Sequence, residues 1–292
     1  MNKNFKRDLT PWLFLAVPLV IYLIWVIGPM FYTFYLSLTK WDGLSRPEFR
    51  GFYNFIKLFK DPVFYTSLKN NFIWIGFFIT VPVAVGLALA MALNRRVPGS
   101  KFFKASFYSP MVLSLVVCGL VWSWIYNPAQ GLINAVLRSV GLDYMAKGWL
   151  SDPDLVLGSV ITVAVWRQVG YVMILYLAGL QGVDTFLIEA SKIDGANSWQ
   201  TFRHVILPQL QPITVVVVVI SIIDSLRAFD LVSVMTRGGP FNRSSVLANY
   251  MYIQSFNNYR MGYGAAIAVI LFMISLGFII MYLGQINQEE NY

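Results

Sequence analysis

The chain has 292 residues, of which 57% are hydrophobic, 16% aromatic and only 12% charged, roughly half the charged share of an ordinary soluble protein. That balance excludes a soluble globular protein, a disordered chain and a secreted disulfide scaffold; a single cysteine, Cys118, and a single histidine, His204, exclude an intrachain disulfide and metal sites built from clusters of either. The 22 Lys and Arg against 14 Asp and Glu, net +8, read as basic residues flanking membrane helices beside anionic lipid, not as nucleic-acid binding.

Charge-free runs locate the spans, because a bilayer core takes about 20 apolar residues per helix. Residues 9–39, 70–94, 105–137 and 261–288 carry no charge; 155–183 is interrupted by Arg167, and 205–236 by Asp224, Arg227 and Asp230. The predicted spans are about 12–38, 70–94, 105–127, 155–180, 213–236 and 263–286, one transmembrane domain over 1–292. The runs are too long, and alternate too little, for a β-barrel. The β-branched stretch 215–219 is read as helix because the membrane requires internal backbone pairing. The first span is read as retained: it is longer than a signal-peptide core and no small-x-small site follows it.

Loop charges nearly balance. The N-terminal tail, 95–104 and 181–212 hold nine Lys and Arg; 39–69, 128–154 and 237–262 hold eleven. Only the cluster Arg95, Arg96, Lys101 and Lys104 leans toward a cytoplasmic side and cytoplasmic termini. In the 39–69 loop, Phe49, Phe52, Phe55, Ile56 and Phe59 recur at helical spacing beside Lys57 and Lys60. This fits an amphipathic helix in the headgroup region, or equally a short helix capping the bundle.

The 181–212 loop is long for a connector and carries helix punctuation. Asp184 or Thr185 can cap a helix over 186–194. Gly195 supplies the positive φ that ends it, Asn197 or Ser198 caps a second helix over 199–207, and Pro208 and Pro212 interrupt the chain again. The surface mixes small residues (Ala190, Ser191, Gly195, Ala196) with Glu189 and Asp194, which would let another protein approach closely.

Span five carries Ser221, Asp224, Ser225, Arg227 and Asp230, and span four Trp166, Arg167, Gln168 and Tyr171. Ionisable groups inside a bilayer line a cavity or pair with one another. Ser221, Asp224 and Ser225 share a helical face, and Arg227 is three residues from both acids. These residues therefore form either a solute path or an internal ion-pair network. Asn70 and Asn71 read as caps of span two, Trp12, Trp41 and Trp149 as interface anchors, and Gly86/Ala90 and Gly264/Ala268 as helix-packing pairs.

Glu189-Ala190-Ser191, then Gly195, then Val205-Ile206-Leu207-Pro208 resemble the E-A-A-x-x-x-G…I-x-L-P loop of permease subunits of binding-protein-dependent ABC importers. The departures are Ser191 for alanine and an isoleucine one place late. Ile193-Asp194-Gly195-Ala196, Thr236-Arg237-Gly238-Gly239-Pro240 and Gly131-Leu132-Ile133-Asn134 are similar to the sugar-importing branch, of the maltose, glycerol-phosphate and trehalose type. The resemblance covers about 12–286. It implies an all-α membrane protein, a six-helix bundle of the type I importer architecture, in a bacterial or archaeal cytoplasmic membrane with both termini inside and loops 39–69, 128–154 and 237–262 outside. It further implies that Glu189, Ala190, Ser191, Asp194, Gly195, Ala196, Leu207 and Pro208 engage an ATPase subunit whose closure rocks the bundle. The implied partners are a second permease, two ATP-binding subunits and an extracytoplasmic solute-binding protein, with lipid around them and no nucleic acid. The chain lacks G-x-x-x-x-G-K-[ST], so ATP and Mg belong to the partner and no cofactor to this chain. The implied solute is a sugar or oligosaccharide, with an expected path that includes Ser221, Asp224, Ser225, Arg227, Gln168 and Tyr171. The alternative is glycerol phosphate, a polyol or an amino acid, with Arg167 and Arg227 holding an anion. A membrane enzyme, a channel and a secondary carrier are disfavoured: there is no intramembrane histidine, no filter-like repeat and no inverted repeat.

Overall fold

The computed structural model describes residues 3–94 and 98–289; Arg95 and Arg96, half of the basic cluster in the 95–104 loop, lie outside them. In chain order the elements are α1 (Lys3–Tyr22), α2 (Gly28–Ser37), β1 (Thr39–Lys40), β2 (Glu48–Phe49), α3 (Tyr53–Leu58), α4 (Pro62–Leu93), α5 (Ser100–Val112), α6 (Leu115–Ile125), α7 (Leu132–Ser139), α8 (Val156–Gln181), α9 (Thr185–Ile193), α10 (Ser198–Thr201), α11 (Leu207–Gln209), α12 (Gln211–Leu226), α13 (Asp230–Met235), α14 (Leu247–Tyr252) and α15 (Met261–Glu289). Among the described residues, four stretches are long and apolar enough to cross a bilayer unaided: Phe14–Ser37, Pro62–Leu93, Val156–Gln181 and Met261–Tyr282. Two bent pairs bring the total to as many as six.

The breaks follow from prolines and from the bonds that replace lost helix bonds. Pro29 has no N–H for the carbonyl four residues back. Just before it the helix widens over Leu23–Ile27, where the Gly28 amide reaches the Leu23 carbonyl. The widening over Phe202–Ile206 precedes Pro208 in the same way, with the Leu207 amide on the Phe202 carbonyl; the second loop helix, expected over 199–207, runs over Ser198–Gln209 with this widened turn inside it. The third span, expected as one helix over 105–127, is α5 and α6 meeting at 100°. Leu113 and Ser114 are extended, and the Ser114 hydroxyl accepts the Val117 amide to start α6. The carbonyls freed at the end of α5 are taken up by α8: Arg167 donates Nη2 to Met111 (3.2 Å) and Nε to Leu113 (3.4 Å).

The described residues separate into two compact units, Met1–Asp61 with Tyr250–Met273, and Pro62–Asn249 with Ile274–Tyr292. In the second unit α8 is the central element, packed by α4 and α5. A β-carbon at Gly86 of α4 would lie 2.7 Å from Val172 Cγ1, and one at Gly170 would collide with the Phe107 carbonyl of α5. Glycines thus let these backbones approach closely, as membrane helices require. Asn70 and Asn71 are inside α4, not at its start. Asn70 donates to the Arg243 and Ser245 carbonyls (both 2.8 Å), and Asn71 accepts the Leu247 amide (2.8 Å). They clamp the segment after Thr236-Arg237-Gly238-Gly239-Pro240, where Ser244 Oγ binds the Gly239 carbonyl (2.6 Å) and Thr236 Oγ1 (2.8 Å). Gly238 has φ +84, and a side chain there would press on Asn249 at 2.7 Å. Asn134 is likewise buried, accepting the Trp149 indole N–H (2.8 Å) and donating to the Lys147 carbonyl (2.9 Å). Trp149 is thereby tied to its own loop.

In the first unit, Asn54 of α3 donates to the carbonyls of Ser37 (2.8 Å) and Thr39 (2.7 Å), joining α3 to the end of α2 and the β1–β2 pair. Asp61 accepts the hydroxyls of Tyr250 and Tyr263. Burial pushes the Tyr250 phenol up, and the Asp61 carboxylate adds to this. In the turn after β1, amides of Ser45 and Leu44 and the Ser45 hydroxyl hold the Asp42 carboxyl down to about 2.

Two outcomes test this packing. Arg167→Met is expected to lower the stability of the extracted protein by about 1 kcal/mol, the worth of the hydrogen bonds lost at the bend, with Arg167→Lys recovering part of it. Gly170→Ala is expected to cost a similar amount by overpacking, while Gly158→Ala, whose β-carbon would meet nothing within 4 Å, leaves the thermal unfolding midpoint unchanged. Equal midpoints for Gly170→Ala and Gly158→Ala would contradict the close approach of α5 and α8.

Candidate functional site

The loop between α8 and α12 is a rigid helix–turn–helix. Asp184 caps α9 by accepting the Phe186 amide (2.8 Å), and its own amide is held by Gln209 Oε1 (2.9 Å) from α11. The helix closes with paired bonds, Ala196 amide to Ser191 carbonyl and Gly195 amide to Lys192 carbonyl. This arrangement needs a left-handed residue, supplied by Gly195 at φ +83. Asn197 and Gln200 then exchange side-chain and backbone bonds, a capping box that starts α10. Ser191 Oγ lies 3.1 Å from Thr201 Oγ1. The residue that departs from the E-A-A pattern thus ties the two helices together.

This scaffold holds an apolar surface open. Phe186 is 72% exposed, Ile193 87% and Trp199 67%. Glu189, Asp194, Gly195 and Pro208 are exposed, while Ala190, Ser191, Ala196 and Leu207 are half-buried. The eight residues singled out in the sequence are brought onto one loop, and the large apolar side chains beside them were not singled out.

The intramembrane candidates divide. A cavity of ≈ 330 Å³ in the second unit is lined by Gln168, Asp224 and Arg227, together with Arg167 and Asp230. Ser221, Ser225 and Tyr171 do not line it. Ser225 spends its hydroxyl on the Ser221 carbonyl (2.6 Å), and Ser221 is fully buried with its hydroxyl unpartnered among the described residues. Span five is interrupted between Leu226 and Asp230, so the regular spacing that would bring Arg227 beside Asp230 is lost. Among the described residues the ion pairs are Arg50–Glu48 and Arg138–Asp143, and neither Asp224 nor Asp230 forms one with Arg227. Asp224 instead accepts Gln168 Nε2 at 3.2 Å.

The other wall is apolar and aromatic: Trp74, Phe78, Met111, Leu115 and Phe229. Trp74 is 1% exposed, yet its indole N–H has no partner among the described residues. A buried donor left open beside a cavity is costly unless a ligand or water uses it. Trp74 is not singled out by the sequence: with the span's start placed at residue 70 it falls close to the first turn, whereas α4 begins at Pro62 and carries it well inside the helix. The lining holds two arginines and two aspartates, a formal balance of zero. Among the described residues no group of three His, Cys, Asp or Glu side chains is assembled that would hold a metal.

Residues 74–289 match the family described as the binding-protein-dependent transport system inner membrane component. The chain is 37% identical over 272 residues to a probable ABC transporter permease of Pyrococcus horikoshii, covering 93% of each. It is 33% identical over 290 residues to a probable starch degradation products transport system permease of Thermoanaerobacterium thermosulfurigenes, covering 99% of this chain and 98% of the relative. A chain in the crystal structure of a bacterial ABC transporter involved in the import of the acidic polysaccharide alginate superposes with a TM-score of 0.85 at 23% identity, covering 98% of each chain, which shows the shared fold. This chain belongs to the inner-membrane permease family of binding-protein-dependent ABC importers.

Proposed function

We propose that this permease carries a neutral sugar or oligosaccharide across the cytoplasmic membrane, through the cavity between α4, α6, α8 and the break in span five. The observation that carries this is the lining. Trp74 and Phe78 offer aromatic faces and Trp74 an unclaimed N–H, while Gln168 and Asp224 supply hydrogen-bonding groups at mid-span. Sugars suit such a site, with ring faces on aromatics and hydroxyls on fixed polar groups that reject ligands lacking them. The starch-product relative supports the same substrate class. An anionic solute fits less well: Arg167 is spent on the carbonyls of the α5–α6 bend, and Arg227 shares its cavity with two aspartates. Ser221 and Ser225 belong to helix packing on this reading.

The α9 loop is the drive. Its exposed Phe186, Ile193 and Trp199, with Glu189 and Asp194 around them, dock on an ATP-binding subunit that holds ATP and Mg. The capped scaffold transmits that subunit's movement to α8 and α12. A second permease, a second ATP-binding subunit and a solute-binding protein outside complete the importer, with both termini of this chain inside.

Gly195→Pro, which cannot adopt φ +83, and Ala190→Trp are expected to insert normally. Both should abolish the stimulation of ATP hydrolysis by loaded binding protein. Stimulation at the wild-type level in both would refute the coupling role. In the cavity, Trp74→Phe keeps the ring and deletes the donor. Uptake should fall about 2- to 10-fold, the worth of one hydrogen bond, with assembly unchanged. Asp224→Asn should also lower uptake, and adding Arg227→Gln should not restore it, because no ion pair joins them. Full rescue by the double change would return Asp224 to a packing role.

A further inference from the structure

We propose that the first unit holds a phosphate-bearing headgroup of an anionic phospholipid in the cavity formed by the β1–β2 turn, α3 and the start of α15. This cavity, ≈ 370 Å³, is lined by four cations, Lys40, Arg46, Lys57 and Arg260, and by two acids, Asp42 and Glu48. No ion pair among the described residues engages any of the four; the pairs are Arg50–Glu48 and Arg138–Asp143. The acids beside them accept from other groups. Asp42 accepts three hydrogen bonds from its own turn, Glu48 pairs with Arg50 at 2.8 Å, and Asp61 accepts the Tyr250 and Tyr263 hydroxyls. Four cations against two carboxylates leave the lining a formal excess of two positive charges, suited to an oxyanion carrying several acceptor atoms.

Its position selects the source of that oxyanion. It lies just past Ser37, where the first span ends, and around Met261, where the last begins, so it sits at the depth of the headgroups. Aromatic walls match that depth: Trp41 is fixed by its indole bond to the Ser45 carbonyl (2.7 Å), and Tyr259 and Tyr263 face the same space. Tyr and Trp concentrate at this boundary in membrane proteins. Beside the cavity, α3 and its flanks leave Phe52, Ile56 and Phe59 exposed at 71%, 58% and 52%, an apolar surface for acyl chains. Lys57, on the same short helix, lies 5.5 Å from the Tyr263 ring centre, which holds the ammonium at the cavity wall. Free phosphate would satisfy the cations but leave the apolar flank unexplained.

The full chain, extracted with the subunits that accompany it, is to be reconstituted in vesicles of equal phosphatidylglycerol and phosphatidylcholine. It is then re-extracted, and its retained lipid counted by mass spectrometry. Wild type should retain phosphatidylglycerol in preference. Arg46→Gln, Lys57→Gln and Arg260→Gln should each lower that retention about fivefold, the worth of one basic group near an anionic surface. Arg260→Lys should keep it, as should Lys147→Gln in another loop, and unchanged elution of the complex shows that the variants fold. Equal retention of both lipids by wild type, or unaltered phosphatidylglycerol in all three glutamine variants, would overturn the proposal. So would displacement of the lipid by inorganic phosphate, which would place a free anion there. Loss of binding-protein stimulation in the variants with lipid retention intact would make the cavity a protein dock and overturn it equally.

Discussion

A backbone carbonyl or amide inside a bilayer has no water to turn to, so a helix broken there must find every freed group a partner within the protein. The second unit of this permease has such breaks at Leu113–Ser114 and at 227–229, and both border the same cavity. Ser114 and Arg167 satisfy the first: one caps the new helix, the other collects two carbonyls at the end of the old. At the second, the Arg227 amide still reaches the Ile223 carbonyl and the Phe229 amide takes the Arg227 carbonyl. Irregular backbone at membrane depth is tolerated where it is buried in protein or lines a polar space. Arg167 is explained by that requirement before any solute is considered, and the cavity is what the breaks leave open.

The same economy of hydrogen bonds shapes the loop between α8 and α12. Its helices are short, and helices of that length are marginal by themselves. Here each end is closed: Asp184 and the Asn197–Gln200 box at the starts, the paired bonds through Gly195 at the turn, and Gln209 reaching back to the Asp184 amide. Buried Thr201 meets Ser191 across the turn. A loop closed this way holds its shape by its own hydrogen bonds, while Phe186, Ile193 and Trp199 remain exposed.

Much of this was legible from residues alone. Charge-free runs disclosed the membrane class and the helical crossings, because hydrocarbon tolerates few alternatives. Asp184, Gly195 and Asn197 disclosed the loop, because caps and positive φ have narrow chemistry. The bend at Leu113–Ser114 was not legible: the run 105–137 carries no charge, and the carbonyls at the bend are satisfied by Arg167, more than fifty positions away. The interruption after Leu226 hides in the same manner, so regular helical spacing puts Arg227 within pairing distance of both acids and Ser221 on one face with Asp224. Asn70 and Asn71 looked like caps because their partners, Arg243, Ser245 and Leu247, are distant in sequence. Side chains that serve remote backbone carry no local pattern.

The central claim is that the saccharide passes through the cavity the broken helices enclose. Ala228 sits in the second break and lines that cavity. With Cys118 replaced by serine, Ala228→Cys in the assembled importer can be titrated with a small maleimide, with and without saturating saccharide-loaded binding protein and ATP. Slower labelling during turnover with saccharide, and no slowing with unloaded binding protein, is the predicted result. A labelling rate indifferent to saccharide, in an importer shown to be transporting it, would contradict the account.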